Sequence, residues 1–254
     1  MRRGRPNLGR QASPLGAALV RSAAVDALAG LLLLSALGFL LARALGLGAA
    51  YLPTALAVYV LVLAIAAPLL PRHRPHRQLG PGNRVTLLRG GLVGLLAGLI
   101  GEANTPTLAW TALALALSAE ALDGIDGYLA RRSGYASPFG ARFDMETDGL
   151  TVAVLALLAF ALGKAGPWVL AAGLLRYLFV AAGYRWTWLN GPLPPSRRRQ
   201  TACVVQILTL AAALAPALPP AWSAPLAAAG LGFLIYSFAV DTLWLSRRAA
   251  GRPT

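Results

Sequence analysis

Charge is scarce in this chain. Only 13% of its 254 residues are Asp, Glu, Lys or Arg, against about a quarter in an ordinary soluble domain. Acids are scarcer than bases, nine against 23, and lysine occurs once, at Lys164. Cysteine also occurs once. Cys203 therefore has no partner for an intramolecular disulfide, no cysteine-based metal site can be built, and nothing implies an oxidising compartment. Within an apolar run it reads as a small buried residue. The two histidines, His73 and His76, lie in the segment Pro71–Gly82 (PRHRPHRQLGPG). Their spacing admits a metal reading. With no carboxylate or cysteine nearby, a basic, solvated surface beside the membrane is the favoured expectation.

What fills the space left by charge is apolar, at 57% of residues. A membrane helix needs about 20 mostly apolar residues. Eight stretches approach this: Ala24–Leu41, Tyr51–Leu70, Val85–Ile100, Leu108–Leu122, Leu150–Leu162, Trp168–Ala182, Ala202–Leu218 and Leu226–Leu243. The expected fold is an all-α polytopic membrane bundle. Arg2, Arg3 and Arg5 resemble the basic start of a signal peptide. The run after Asp26 is longer than a signal core, and further spans follow, so a retained helix is expected.

The net charge of +14 invites a nucleic-acid reading, but placement argues against it. With eight spans and both ends on one side, nineteen basic residues share that side: five up to Arg21, four from Arg72 to Arg84, and three from Arg131 to Arg142. Four more run from Arg185 to Arg199, and three from Arg247 to Arg252. The other side holds Arg43 and Lys164, while Arg89 and Arg176 fall within spans. This is the positive-inside pattern, which places the richer side in the cytoplasm. Membrane lipids, not nucleic acid, are the expected partners. The Ala-, Leu- and Arg-rich composition suits a bacterium of high-GC genome, and hence its cytoplasmic membrane.

Six of the nine acids crowd between Glu120 and Asp148. Such a cluster between spans is costly unless something cationic meets it. Asp123 and Asp126 are three apart, and Asp144 and Asp148 four apart, so each pair shares one face of a helix. Two such helices face to face would converge four carboxylates. Hard oxygen donors of that number suit Mg²⁺ or Mn²⁺, and two ions would serve a phosphoryl displacement. Gly127 and Gly140 open space for a ligand near the backbone, Ala130 is small, and Arg131 can pair with a phosphate.

Together these residues read Asp123-x-x-Asp126-Gly127-x-x-Ala130-Arg131, eight residues, then Gly140-x-x-x-Asp144-x-x-x-Asp148. This closely resembles the signature of the CDP-alcohol phosphatidyltransferase family, at all eight positions and with the same gap. The segment Asn83-Arg-Val-Thr86-Leu-Leu-Arg89 is similar to the Asn…Thr…Arg start of the family's first core helix. The resemblance implies a six-helix catalytic core over residues 79–254. Residues 1–78, with two extra transmembrane helices and a basic linker, lie outside it.

The resemblance also implies roles. Asp123, Asp126, Asp144 and Asp148 would hold two Mg²⁺ or Mn²⁺ ions, and Asp148 would be the general base on the acceptor hydroxyl. Asn83, Thr86, Gly127, Ala130, Arg131 and Gly140 would line the site for the CDP-lipid, CDP-diacylglycerol. The acceptor would be a small alcohol or phospho-alcohol, CMP would be released, and the family implies a homodimer that no residue here marks. The segment Phe143–Asp148 departs from the phosphatidylglycerophosphate, phosphatidylserine and phosphatidylcholine synthase branches, so no branch follows.

Other polar residues are less committed. Arg176, with Arg185, is a candidate for binding an acceptor phosphate. Equally, Arg176 fits a buried pair with Glu120 or Asp241. Arg197–Arg199 read as an ordinary basic loop. Glu146, two residues from both Asp144 and Asp148, should point away from the site. Asp26 and Asp241 read as structural. The competing function is a polytopic transporter or lipid-binding protein that coordinates a cation without catalysis. Such a permeation path would need polar groups in both halves of the spans, and the outer halves are nearly bare.

Overall fold

The computed structural model describes residues 14–251. Arg2, Arg3, Arg5, Arg10 and Arg252, part of the expected charge asymmetry, lie outside the described residues. The described chain is helical throughout, and its eight α-helices match the eight apolar stretches one for one: α1 (Pro14–Leu45), α2 (Tyr51–Ala66), α3 (Pro81–Gly98), α4 (Pro106–Arg132), α5 (Pro138–Ala161), α6 (Leu170–Arg185), α7 (Arg197–Ala213) and α8 (Pro220–Ala249). A 3₁₀ elbow, Ala67–His73, follows α2. Five runs are long and apolar enough to cross a membrane: Gly16–Leu45, Tyr51–His73, Pro106–Arg132, Pro167–Arg185 and Pro220–Ala249. The protein is a polytopic helical membrane bundle. The other three helices, α3, α5 and α7, fall short of that combination of length and hydropathy, and each carries charged residues of its own: Arg84 and Arg89, Arg142 to Asp148, and Arg197 to Arg199.

Local chemistry sets the helix starts. Proline opens α3, α4, α5 and α8 at the position where its missing N–H is not needed. Thr105 caps α4 by accepting from Leu108 N–H (3.2 Å), and Ser137 caps α5 by accepting from Gly140 N–H (3.2 Å). Each such cap is worth about 1 kcal/mol. At the end of the bundle away from the acidic cluster, buried Lys164 donates to the carbonyls of Ala215 and Leu218, both at 2.8 Å. That ties the α5–α6 loop to the α7–α8 turn.

Helix α3 is the hub. It packs against α1, α2, α4 and α5, and 13 of its 18 residues are buried. Small residues allow the approach, as membrane helix interfaces require. A Cβ at Gly94 would lie 2.6 Å from the Ala55 carbonyl oxygen, and one at Gly98 would meet the Tyr51 ring at 2.7 Å. Across the other face, a Cβ at Gly82 would lie 2.7 Å from the Asp126 carbonyl oxygen and 2.8 Å from Ala130 Cβ. Large apolar side chains left exposed, such as Leu28, Leu32 and Leu40 on α1, form the lipid-facing surface.

The elbow corrects one expectation. His73 is fully buried, not solvated. Its Nε2 lies 3.0 Å from the Gln78 carbonyl oxygen and its Nδ1 lies 2.6 Å from Ser137 Oγ. A carbonyl only accepts, so Nε2 carries a proton, and in the neutral ring Nδ1 then accepts from the Ser137 hydroxyl. The rings of Tyr135, Phe139 and His76 surround it. A sequence of arginines and histidines suggested water, but tertiary packing found a hydrogen-bond partner for each ring nitrogen.

The Gly94–Ala55 contact predicts that Gly94→Val forces α2 from α3, at a cost of about 1–3 kcal/mol. Thermal unfolding in detergent should show a lower midpoint than for wild type. Gly232→Ala, where nothing lies within 4 Å, should not fall. An unchanged midpoint for Gly94→Val would mean that this seam is not packed.

Candidate active site

The site is built where the start of α3, the end of α4 and the start of α5 meet. Asn83, Thr86 and Arg89 recur at three-residue spacing and share one face of α3. Asn83 donates from Nδ2 to the Leu79 carbonyl (2.6 Å), and its Oδ1 lies where a Cβ on Gly140 would come within 2.7 Å. Any side chain at position 140 would push α5 off α3. Thr86 donates from Oγ1 to Asp126 Oδ2 (2.9 Å).

Arg89 stands at the centre. Its Nη1 pairs with Asp126 Oδ2 (2.8 Å) and Asp144 Oδ1 (2.5 Å); its Nη2 pairs with Asp123 Oδ1 (2.7 Å) and Asp148 Oδ1 (2.5 Å). One guanidinium, 2% exposed, thus bridges four carboxylates from two helices. Its Nε is buried without a partner. With all four carboxylates ionised, the five groups carry a net charge of −3; Asp126 is buried, while Asp123, Asp144 and Asp148 are partly exposed, and unpaired charge is expensive in such a place.

Three of the four carboxylates form a tighter set. One oxygen from each of Asp123, Asp126 and Asp144 lies within 4.8 Å of the others. An all-oxygen, strongly anionic donor set of this kind fits Mg²⁺ or Mn²⁺. Asp148 stands beside the triad, with Oδ1 on Arg89 and Oδ2 3.7 Å from the Cys203 thiol on α7.

The family model for CDP-alcohol phosphatidyltransferase matches residues 81–240, from the first turn of α3 into α8. The chain belongs to this family. No curated protein and no solved structure matches it. The matched segment contains every residue of the signature and all four carboxylates around Arg89.

The structure brings most of the expected residues of this phosphatidyltransferase together. Gly127 lies against Arg131, whose Nη1 would be 3.2 Å from a Cβ there; Arg131 itself is exposed on the last turn of α4. Ala130 has a packing role, since it meets Gly82 where α3 crosses α4. Glu120, half-buried one turn before Asp123, lies within electrostatic reach of Asp123 and Asp148. Glu146 points away from the aspartates, as its register requires. It pairs with Arg142 (2.9 Å) and Arg176 (2.7 Å). The partner of Arg176 is therefore Glu146, not Glu120 or Asp241. Gly149 makes room for it: a Cβ there would lie 2.6 Å from Arg176 Cδ. Arg185 is exposed at the end of α6. Arg198 and Arg199 are not a plain basic loop, because both pair with buried Asp241 and so lock α7 to α8. Asp26 pairs with Arg84 at 3.0 Å.

Two site residues went unassigned in the sequence. Arg89 carried a signal, as the third member of the Asn…Thr…Arg row and as one of two arginines within spans. Cys203 carried none, because nothing local says that α7 lies against Asp148.

Replacing Arg89 by Gln leaves four carboxylates facing one another. Removing one partner of a buried ion pair costs about 3–5 kcal/mol, so Arg89→Gln should unfold at markedly lower temperature in metal-free detergent. Arg89→Lys, which keeps the charge but not the two-pronged reach, should fall between. Stability of Arg89→Gln equal to wild type would remove Arg89 from the centre of the site.

Proposed function

We propose that this protein transfers a phosphatidyl-type group from a CDP-linked lipid, CDP-diacylglycerol, to the hydroxyl of a small alcohol, releasing CMP in phospholipid biosynthesis. The observation that carries this reading is the meeting of the four signature aspartates around one point in a chain of this family. Asp123, Asp126 and Asp144, with Asp148 at their side, would hold Mg²⁺ or Mn²⁺, two ions by the donor count. The bound ions would supply positive charge to the donor's pyrophosphate and to the departing CMP.

The chain's own groups do the remaining work. Asp148 takes the proton of the acceptor hydroxyl, whose oxygen then attacks the lipid-side phosphorus while the bond to CMP breaks. Arg89 holds the four carboxylates at fixed separations, so that little reorganisation is left for the reacting state. Asn83, Thr86, Gly127, Ala130, Arg131 and Gly140 shape the donor site. Thr86 fixes Asp126, the Asn83–Gly140 contact sets the spacing of α3 and α5, and Arg131 reaches for phosphate.

Arg176 and Arg185 serve the acceptor in this reading. Glu146 is shared by Arg142 and Arg176, so that cluster keeps one positive charge beside Gly149, the neighbour of Asp148. A phosphorylated acceptor suits it. Residues 79–254 form the catalytic unit and residues 1–78 an added N-terminal piece. The site end of the bundle, which carries most of the basic residues, faces the cytoplasm of a bacterial inner membrane.

The first test is CMP release from CDP-diacylglycerol by the purified protein with Mg²⁺ or Mn²⁺, over a panel of free and phosphorylated alcohols. Acceptor-dependent release, abolished by chelator, is expected, and Asp148→Asn should cut it by about 10²–10⁴-fold, the range of a lost general base. Binding of neither metal nor CDP-lipid would end the transferase reading. A second test concerns Arg176→Gln. It should raise KM for a phosphorylated acceptor far more than for its dephosphorylated form, and an equal effect on both would make Arg176 purely structural.

A further inference from the structure

A charged cleft lies away from the aspartates. It is a cleft of about 650 Å³ between the first turns of α1, the segment after the elbow and the outer side of α3. Arg21, Ser22, Asp26, Arg77, Gln78 and Arg84 line it, with two alanines and Val25 of α1 as its apolar wall. Arg84 follows Asn83 directly, so the 100° turn per residue aims it away from the catalytic face.

The charges do not balance. Asp26 accepts from Arg84 at 3.0 Å and from the Ser22 hydroxyl at 3.5 Å, while Ser22 Oγ accepts from Leu79 N–H at 3.2 Å. The one carboxylate is thus committed to Arg84. Arg21 and Arg77 are both exposed, and among the described residues neither pairs with a carboxylate. Two guanidiniums at the mouth of a concave site call for an anion with several oxygens. The wall supplies the other half of the ligand. Val25, Leu28 and Leu32, exposed at 62%, 56% and 63%, form one stripe at i, i+3 and i+7 that leads along α1 away from the arginines.

We infer that this cleft binds the phosphate headgroup of an anionic phospholipid, with an acyl chain along the α1 stripe, at a site separate from the aspartate centre. The ligand pins α1 to the catalytic helices. Gln78, in the cleft wall, also accepts from His73, which meets the Ser137 cap of α5. The cleft and the start of α5 are thus tied through one short segment.

The test uses the full chain in nanodiscs, with fluorescent phosphatidylglycerol as probe, fluorescent phosphatidylcholine for comparison and inorganic phosphate as competitor. Wild type should prefer phosphatidylglycerol, and phosphate should not displace it. At about 1 kcal/mol for each basic residue near a lipid surface, affinity should fall about 5-fold for Arg21→Gln and about 30-fold for Arg21→Gln with Arg77→Gln. The paired lysine replacements, which keep both charges, should retain binding. Asp123→Asn with Asp144→Asn disables the proposed donor site and should leave the probe bound. Undiminished binding in the double glutamine variant overturns the inference, and so does loss of binding in the double asparagine variant. Ready displacement by phosphate overturns the lipid assignment.

Discussion

Four carboxylates brought to one point within a membrane bundle are the constraint that shapes everything else. Like charges a few ångströms apart repel, and a cluster only partly open to water is only partly screened. The bundle meets this with Arg89, and Arg89 can only serve if α3 runs through the middle. That demand explains the composition of α3. A hub helix touching four neighbours cannot afford bulk, so glycine stands at the α2 crossing (Gly94, Gly98) and at the α4 crossing (Gly82). The same smallness, with Arg84 and Arg89, leaves α3 too polar to stand alone as an apolar span. Its place in the membrane is secured by neighbours, not by its own hydropathy.

The loops around the site are held as tightly as the helices. Ser137 does two jobs: it caps α5 through Gly140 N–H and donates to His73 from the elbow. Gly80, with φ +80°, turns the chain into α3 directly under Tyr135, where a Cβ would lie 2.7 Å from the ring. The α4–α5 loop therefore rests on the elbow that precedes α3. Helices α1 and α2 meet the later helices through this short connection, through their seams with α3 and through the Asp26–Arg84 pair.

Much of this was legible in the sequence because membrane insertion writes in long apolar runs and the chemistry writes in rare acids. The eight stretches became eight helices, and the aspartate spacing placed each pair on one face. What was not legible depended on which helices become neighbours. His73 looked like part of a solvated basic run, and only the approach of Ser137 and Phe139 makes its burial affordable. Arg176 was recognisable as an intramembrane charge, but its partner Glu146 is 30 residues away across α5 and α6. Arg198 and Arg199 read as a topology signal, whereas buried Asp241 on α8 gives them a structural role as well.

Arg89 also sets the terms on which any ligand enters. Arg89 holds one oxygen of each carboxylate of the triad: Asp123 Oδ1, Asp126 Oδ2 and Asp144 Oδ1. Each carboxylate has a second oxygen, so sharing is chemically open, but two cations drawn to the same small set of atoms must compete. The arginine keeps the aspartates together, and it would weaken their hold on a divalent ion bound beside it. A site of this kind would favour a cation that arrives with negative charge of its own, such as one bound to a pyrophosphate, over a bare ion. The repulsion between the two cations is then offset by the anion they share.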